Sequence, residues 1–442
     1  MATPRTVAFY TLGCKLNFSE SSSLAQRFEA SGYGVLPFSA SADIYVINTC
    51  SVTDFADAKC RNIVRKAKRK NPESKIIVIG CYAQLKPKEI AQIEGVDLVL
   101  GAAEKFQVLD YIDQLSDSEP GWIQSGSIEE VHSFEQAFSF GDRTRSFLKV
   151  QDGCNYNCSF CTIPLARGKS RSPKIETITE QANKLAQKGV REIVLTGVNI
   201  GDYGWQDGEK SSNFLDLIRA LDQVEGIRRF RISSIEPNLC SDEIIAFVAQ
   251  SNRFVPHLHM PLQSGNNKQL AQMRRRYKRE LYQDRVQQIK RCMPAACIGV
   301  DVITGFPGET DADFLESVDF IEKMPISYLH VFTYSERPNT LADGMSGSVP
   351  MAERKQRNKL LRQVSQKKKR AFYTEQLGTQ RQVLIEEDRK EGRLTGFTEN
   401  YVKVEINDSA LQPNELIDVY LKGFTPEGRV TAEPILTSSL PY

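Results

Sequence analysis

The sequence predicts a multidomain α/β protein, with a doubly wound parallel-sheet N-terminal domain over residues 1–115, a partial (β/α)6 barrel over 143–377 and a small C-terminal antiparallel β-barrel over 378–442. Three observations predict it. Short Val- and Ile-rich runs alternate with helix-like stretches in the first quarter of the chain, the mark of parallel strands buried on both faces. A second strand-helix series follows a polar segment, 116–142, that reads as a linker. After Gly378 the pattern changes to short alternating runs, poor in helix and punctuated by Gly and Asn-Asp turn signals.

The strand candidates of the first series are VAFYTL (7–12), DIYVIN (43–48), KIIVIG (75–80) and VDLVLG (96–101). Those of the second are FLKVQDG, EIVLTGVNI, RFRISSIEP, VPHLHMPLQ, CIGVDVITG and SYLHVFTYS. Between its first two strands, Thr177 and Glu180 read as a capping box opening an amphipathic helix that ends at Gly189. Six units in about 190 residues fall two short of a closed eight-unit barrel, which takes roughly 250. A basic helix over 351–377 closes the series. The last runs, QVLIEE, RLTGFTENYVKVEIN, ELIDVYLKG and GRVTAEPI, suit a compact barrel of the kind that often binds oligonucleotides.

A chain of 442 residues exceeds what one core usually organises. Its 40 % apolar and 25 % charged residues, without any run of 18 apolar positions, predict a soluble protein with no membrane partner. The first residues lack a secretory signal pattern, so a cytoplasmic location is expected. Ten cysteines are too sparse for a disulfide scaffold and direct attention to metal binding or catalysis. The net charge of +2 hides local bias: residues 59–70 carry seven basic side chains and no acidic one, and Arg274–Arg276 and Lys367–Arg370 form two more clusters. Such clusters suit a polyanion, or else are solvated helix faces.

Two cysteine trios stand out. Cys154, Cys158 and Cys161 form C-x3-C-x2-C directly after the first strand of the second series. Three thiolates so close can converge on one inorganic cluster. A structural zinc site would need a fourth Cys or His, and none follows until Cys240. A 4Fe-4S cluster on three cysteines keeps one iron free for a small molecule. Cys14, Cys50 and Cys81 each follow a predicted strand, and parallel strands bring their carboxyl ends to one sheet edge, where ligands bind in open α/β sheets. The alternative is three buried cysteines packed as small apolar residues. Cys60, Cys240, Cys292 and Cys297 lack such placement and are assigned to packing.

The C-x3-C-x2-C loop resembles the signature of the radical S-adenosylmethionine superfamily. In that resemblance LTGVNIGDYG (195–204), with Gly197 and Asn199, is similar to the loop meeting the methionine amino group. VDVITGFPGET (300–310), with Gly305 and Gly308, is similar to the stretch beneath the adenosyl moiety, and Glu236 matches a position near S-adenosylmethionine. His257 and His259, on alternate residues of one strand, either flank the cavity or are core histidines with satisfied hydrogen bonds.

The amino-terminal trio, radical core and terminal barrel together resemble the methylthiotransferase family, whose last domain is the TRAM barrel. TLGCKLN (11–17), ARGKSRS (166–172) and PHLHMPLQSG (256–265) look most like the threonylcarbamoyladenosine tRNA branch. The isopentenyladenosine branch usually reads CQMN at the first motif and the ribosomal-protein branch CPKN. Asn339 departs from the family's usual Gly, and Asn tolerates the left-handed backbone expected there.

The resemblance implies two 4Fe-4S clusters and S-adenosylmethionine. The cluster on Cys154, Cys158 and Cys161 would generate a deoxyadenosyl radical, and that on Cys14, Cys50 and Cys81 would carry the sulfur to carbon 2 of the adenine. It also implies the tRNA anticodon stem-loop as substrate, an electron donor such as flavodoxin or ferredoxin, and a sulfur donor. The competing readings are the same chemistry on another tRNA adenosine or a ribosomal protein, and a non-catalytic iron-sulfur RNA-binding or redox-sensing module.

Overall fold

The computed structural model describes residues 5–50, 54–116, 118–141, 143–390, 393–408 and 410–435. The first domain runs β1 (Thr6–Thr11), α1 (Lys15–Ala30), β2 (Gly34–Leu36), β3 (Ile44–Thr49), α2 (Asp54–Lys70), β4 (Lys75–Gly80), α3 (Cys81–Leu85), α4 (Pro87–Ala91), β5 (Leu98–Leu100), α5 (Val108–Ile112) and β6 (Trp122–Gln124). Its sheet is parallel throughout, in the order β2-β1-β3-β4-β5-β6. Alternate residues of each strand serve opposite faces: Ala8, Tyr45, Ile47 and Val78 pack on Ile63, Val64 and Ala67 of α2. Val7, Val46, Ile77 and Ile79 pack on Leu24 and Phe28 of α1. Both faces are therefore covered, which is why the strands read as continuous apolar runs.

β6 lies inside the segment read as a linker, and three residues are too few for a periodicity signal. The same segment straps the domains together. Ser23 of α1 donates to the Phe138 carbonyl (3.0 Å) and accepts from its N–H (2.9 Å), while Phe138 bridges to Leu148 of the next domain.

The second domain comprises β7 (Ser146–Lys149), α6 (Ile163–Arg167), α7 (Ile175–Gln187), β8 (Glu192–Thr196), a small hairpin β9 (Trp205–Gln206) and β10 (Glu209–Lys210), α8 (Phe214–Asp222), β11 (Arg229–Ile232), α9 (Asp242–Gln250), β12 (His257–His259), α10 (Asn267–Gln272), α11 (Arg279–Cys292), β13 (Cys297–Thr304), α12 (Asp311–Lys323), β14 (Tyr328–Thr333) and α13 (Met351–Gln376). The strands run parallel in chain order, β7-β8-β11 and β12-β13-β14, with a parallel bridge from Phe230 to Phe254 joining the two sets. This is the incomplete six-strand barrel expected. The capping box expected at Thr177 and Glu180 is absent: α7 starts at Ile175, after Pro173, with Lys174 as an uncapped N-cap residue. Pro173 sets an extended entry to the helix earlier than Thr177 could. Capping boxes form instead at Asn213 with Asp216 and at Thr310 with Asp313, where Asp replaces the Glu or Gln of the usual pattern.

The chain ends in a closed barrel ordered β15-β16-β17-β19-β18, from β15 (Gln380–Lys390), β16 (Arg393–Thr398), β17 (Lys403–Ile406), β18 (Leu416–Phe424) and β19 (Val430–Pro434). It is consistent with a TRAM-like domain. Arg229 and Arg231 of β11 reach into it: Arg231 donates to the Glu399 carbonyl (3.1 Å), and Arg229 to the Phe397 carbonyl (3.3 Å). Tyr401, in the β16–β17 turn at φ 68°, stacks on His257 with ring centroids 4.0 Å apart. Among the described residues no helix is long and apolar enough to cross a membrane.

Candidate active site between two sheet edges

Three cysteine-bearing loops, two of them with a glycine directly before the cysteine, end the central strands of the first sheet. Cys14 follows β1 after Gly13, Cys50 follows β3, and Cys81 opens α3 directly after β4 and Gly80. A Cβ on Gly13 would stand 2.7 Å from the Cys50 Cβ and 3.0 Å from its Sγ, at a φ of 103°. Only glycine lets these two loops approach so closely. Asn17 ties them together, its Nδ2 donating to the Leu12 carbonyl and the Thr49 carbonyl, both at 2.9 Å. Cys14 is exposed; Cys50 and Cys81 are buried. Cys14 and Cys81 lie within electrostatic reach of each other.

The second trio sits on the loop after β7. The Cys161 N–H donates to the Cys158 carbonyl (3.1 Å), and the Tyr156 N–H to the Cys154 Sγ (3.4 Å). Each thiol feels its neighbours, and burial pushes those of Cys154 and Cys161 up to about 12 and that of Cys158 up as well. Burial likewise raises the Cys81 thiol. Thiolates form here only against a positive partner, which iron provides. Among the described residues no three Cys, His, Asp or Glu side chains close tightly enough for a single metal ion. A four-iron cluster spreads its ligands more widely than one ion does.

The two trios are joined by packing. Cys81 is the first residue of α3, Cys161 nearly adjoins α6, and α3 packs on α6. A cavity of about 240 Å³ opens beside Cys161, lined by Phe160, Gln263, Asp301, Ile303 and Tyr334 among others. Asp301 holds His259 through Nε2 at 3.0 Å. Lys15, next to Cys14, is exposed. Desolvation, with the Arg145 and Arg231 guanidinium groups, holds its ammonium down to about 8, against the pull of Cys14 and of Asp301 in the cavity lining.

The remaining expected residues divide. Asn199 is buried, with neither side-chain amide atom partnered, while its N–H and that of Val198 donate to Gln151 Oε1 at 2.8 and 3.0 Å. Glu236 is ion-paired with Arg275, whose Nη1 also donates to the Cys158 Sγ at 3.0 Å. Gly197 packs against the Gln151 carbonyl, Gly305 makes room for the Arg354 side chain, and Gly308 faces Gln272, so protein atoms account for all three. His257 is a core histidine, bonded through Nε2 to the Tyr328 hydroxyl at 3.1 Å. Asn339 takes φ 67°, as its turn requires. Cys60, Cys240 and Cys297 are buried, but Cys292 is exposed at the end of α11 and contributes no packing.

Sequence reasoning missed Arg275. It stood in a run of three arginines read as an RNA patch, and a single sequence carries no signal that the middle one turns inward. It also missed Asn17, whose only sign was its place three residues after Cys14.

A cysteine loop on the first strand of an incomplete parallel barrel, facing a second thiol-bearing sheet, defines a radical S-adenosylmethionine enzyme. Residues 148–321 match the radical SAM superfamily, and residues 6–101 the uncharacterized protein family UPF0004. The fold is similar to that of the radical S-adenosylmethionine methyltransferase TsrM from Kitasatospora setae, with a TM-score of 0.57 at 14 % identity, covering 77 % of this chain and 75 % of that one. The chain is 42 % identical to a threonylcarbamoyladenosine tRNA methylthiotransferase of Bacillus subtilis, over 90 % of each. It is 37 % identical to the enzyme of the same name from Thermotoga maritima, over 97 % of this chain and 96 % of that one. The chain belongs to the radical S-adenosylmethionine tRNA methylthiotransferase family.

Proposed function

We propose that the chain adds a methylthio group to carbon 2 of threonylcarbamoyladenosine in tRNA, next to the anticodon. The observation that carries this reading is the packing of α3, which Cys81 begins, on α6, which starts two residues after Cys161. Cys154, Cys158 and Cys161 would hold one 4Fe-4S cluster and Cys14, Cys50 and Cys81 a second. Bound there, the clusters and S-adenosylmethionine supply the radical and sulfur chemistry that an unactivated aromatic C–H bond demands and no side chain provides.

The residues present fit these groups. The Asn199 amide, buried without a protein partner, suits the polar methionyl end of S-adenosylmethionine, since such a group otherwise costs free energy. Gln151 fixes the Asn199 loop through two N–H groups. Arg275 steadies the Cys158 sulfur while Glu236 neutralises it from the other side. Lys15 favours this particular substrate, because the threonylcarbamoyl group ends in a carboxylate and the exposed Lys15 ammonium stands within electrostatic reach of Asp301 in the cavity lining.

The tRNA anticodon stem-loop would lie against the exposed basic face of α2, with Arg65, Lys66, Arg69 and Lys70, and against the terminal barrel. The target base leaves its stack to reach the cavity, which costs little in an unpaired loop. A flavodoxin or ferredoxin would donate electrons, a separate sulfur donor would supply the inserted atom, and the cytoplasm is where tRNA and these partners meet.

Anaerobic protein reconstituted with iron and sulfide, given dithionite and S-adenosylmethionine, is expected to release deoxyadenosine and to methylthiolate threonylcarbamoyladenosine in tRNA, read by nucleoside mass spectrometry. Cys14→Ala, Cys50→Ala and Cys81→Ala should each abolish sulfur insertion while deoxyadenosine still forms. Wild-type protein that cleaves no S-adenosylmethionine, or a deletion strain whose tRNA keeps the methylthio group, would sink the assignment.

A further inference from the structure

Glu20, in the middle of α1, is fully enclosed and accepts from Lys105 Nζ at 2.8 Å, Lys149 Nζ at 3.2 Å and Arg167 Nη1 at 2.9 Å. Asp152, two residues before Cys154, accepts from Lys149 at 2.7 Å, Arg167 at 3.0 Å and Arg171 at 3.2 Å. All six side chains belong to residues no more than 9 % exposed. Four basic side chains thus share two carboxylates, two more bases than acids at the junction of the first two domains.

Burying an unbalanced charge is costly, and joining two domains does not require it: one cation per carboxylate would satisfy the same geometry. The surplus has a direction. Arg167 Nη2 donates to Asn17 Oδ1 at 2.6 Å, and that oxygen lies 4.0 Å from the Cys14 Sγ. Arg167 ends α6, which packs on the helix begun by Cys81, and both Arg167 and Lys105 stand within electrostatic reach of the Cys81 sulfur.

We propose that Lys105 and Arg167 are positioning residues that supply the counter-charge for a metal cluster on Cys14, Cys50 and Cys81, so that domain docking and cluster loading draw on one shared set of charges. The inference rests on the reading of that trio as cluster ligands. Three thiolates bring negative charge to the site, and the buried surplus balances it in a medium where charges act strongly on one another. Were a cluster held there reduced by one electron from dithionite, with no proton taken up, the Lys105 and Arg167 charges would favour the reduced form.

The test uses full-length protein with Cys154, Cys158 and Cys161 all changed to Ala, leaving the first trio alone, reconstituted with ferrous iron and sulfide. Lys105→Met on this background is expected to melt, before loading, at or above the parent's temperature. After loading it should gain less in melting temperature, and its midpoint potential by electron paramagnetic resonance should fall by the equivalent of about tenfold in the reduction equilibrium, about 59 mV for one electron. Lys105→Arg should restore the potential. If Lys105→Met does not fold, Arg171→Met, at the rim of the network, should lower the potential in the same direction. A variant that loads and titrates like the parent, or that loses equal stability with and without iron, overturns the proposal. A parent that takes up no iron overturns instead the reading of the trio as cluster ligands, and this inference with it.

Discussion

Arg275 spans Cys158 and Glu236, with Nη1 at 3.0 Å from the sulfur and Nη2 paired with the carboxylate. Its neighbour Arg276 lies over the Tyr156 ring at 3.9 Å, so two of three consecutive arginines serve the cysteine loop.

Removing the Arg275 guanidinium strands a buried carboxylate. Arg275→Met is therefore expected to cost about 3–5 kcal/mol in urea unfolding. It should also lower iron uptake at the second trio. Adding Glu236→Gln should recover part of the stability, a coupling that a double-mutant cycle reads directly. Additive losses would show the two side chains act separately.

Asn199 predicts the opposite pattern. Its amide has no protein partner, so Asn199→Ala should change unfolding free energy by less than about 0.5 kcal/mol. S-adenosylmethionine affinity of the reconstituted protein should fall roughly tenfold, as loss of one or two hydrogen bonds implies. Calorimetry checks both numbers on one preparation.

Lys15→Gln tests the substrate reading. A charge-assisted contact to the threonylcarbamoyl carboxylate is worth about 1.5–3 kcal/mol, so KM for the modified tRNA should rise roughly tenfold or more. The wild type should prefer this tRNA to one whose carboxylate is methyl-esterified, and the variant should not distinguish them. Equal discrimination by both proteins would assign Lys15 no part in recognition.

Glu192 governs acid stability of the junction with the terminal barrel. Burial opposes its ionisation, but the Arg231, Arg145 and Arg229 guanidinium groups prevail and hold it down to about 2. An unfolded Glu titrates near 4.3, so this contribution is complete above about pH 4.3 and is lost as pH falls toward 2. Urea unfolding between pH 7 and 3 should show stability dropping below pH 4.5, and Glu192→Gln should flatten that drop while costing about 3–5 kcal/mol at neutral pH.

Tyr401→Ala should loosen the terminal barrel, since its ring fills the contact between His257 and Phe397. Truncating an aromatic packed in this way costs roughly 3 kcal/mol. Limited proteolysis near residue 378 should accelerate relative to the wild type.

Much of the site was legible because its signals are local. Each cysteine of the first trio directly follows a strand, and the second trio spans eight residues, so spacing and strand ends alone brought six thiols to two edges. The β/α alternation, the missing barrel units and the terminal barrel were equally written in short-range pattern. What a single sequence could not show is partner choice across distance. Glu20 and Arg167 meet across 147 positions, Arg275 and Cys158 across 117, and Arg231 and the Glu399 carbonyl across 168. Charge runs such as Arg274–Arg276 look uniform until packing buries one member, and the start of α7 was decided by Pro173 rather than by the Thr177 pattern. The sequence by itself determined the chemistry carried to each sheet edge, because neighbouring residues set backbone period and spacing. Only the tertiary structure decided which cations stand behind those thiols, because burial and charge pairing arise between segments that the chain order leaves unrelated.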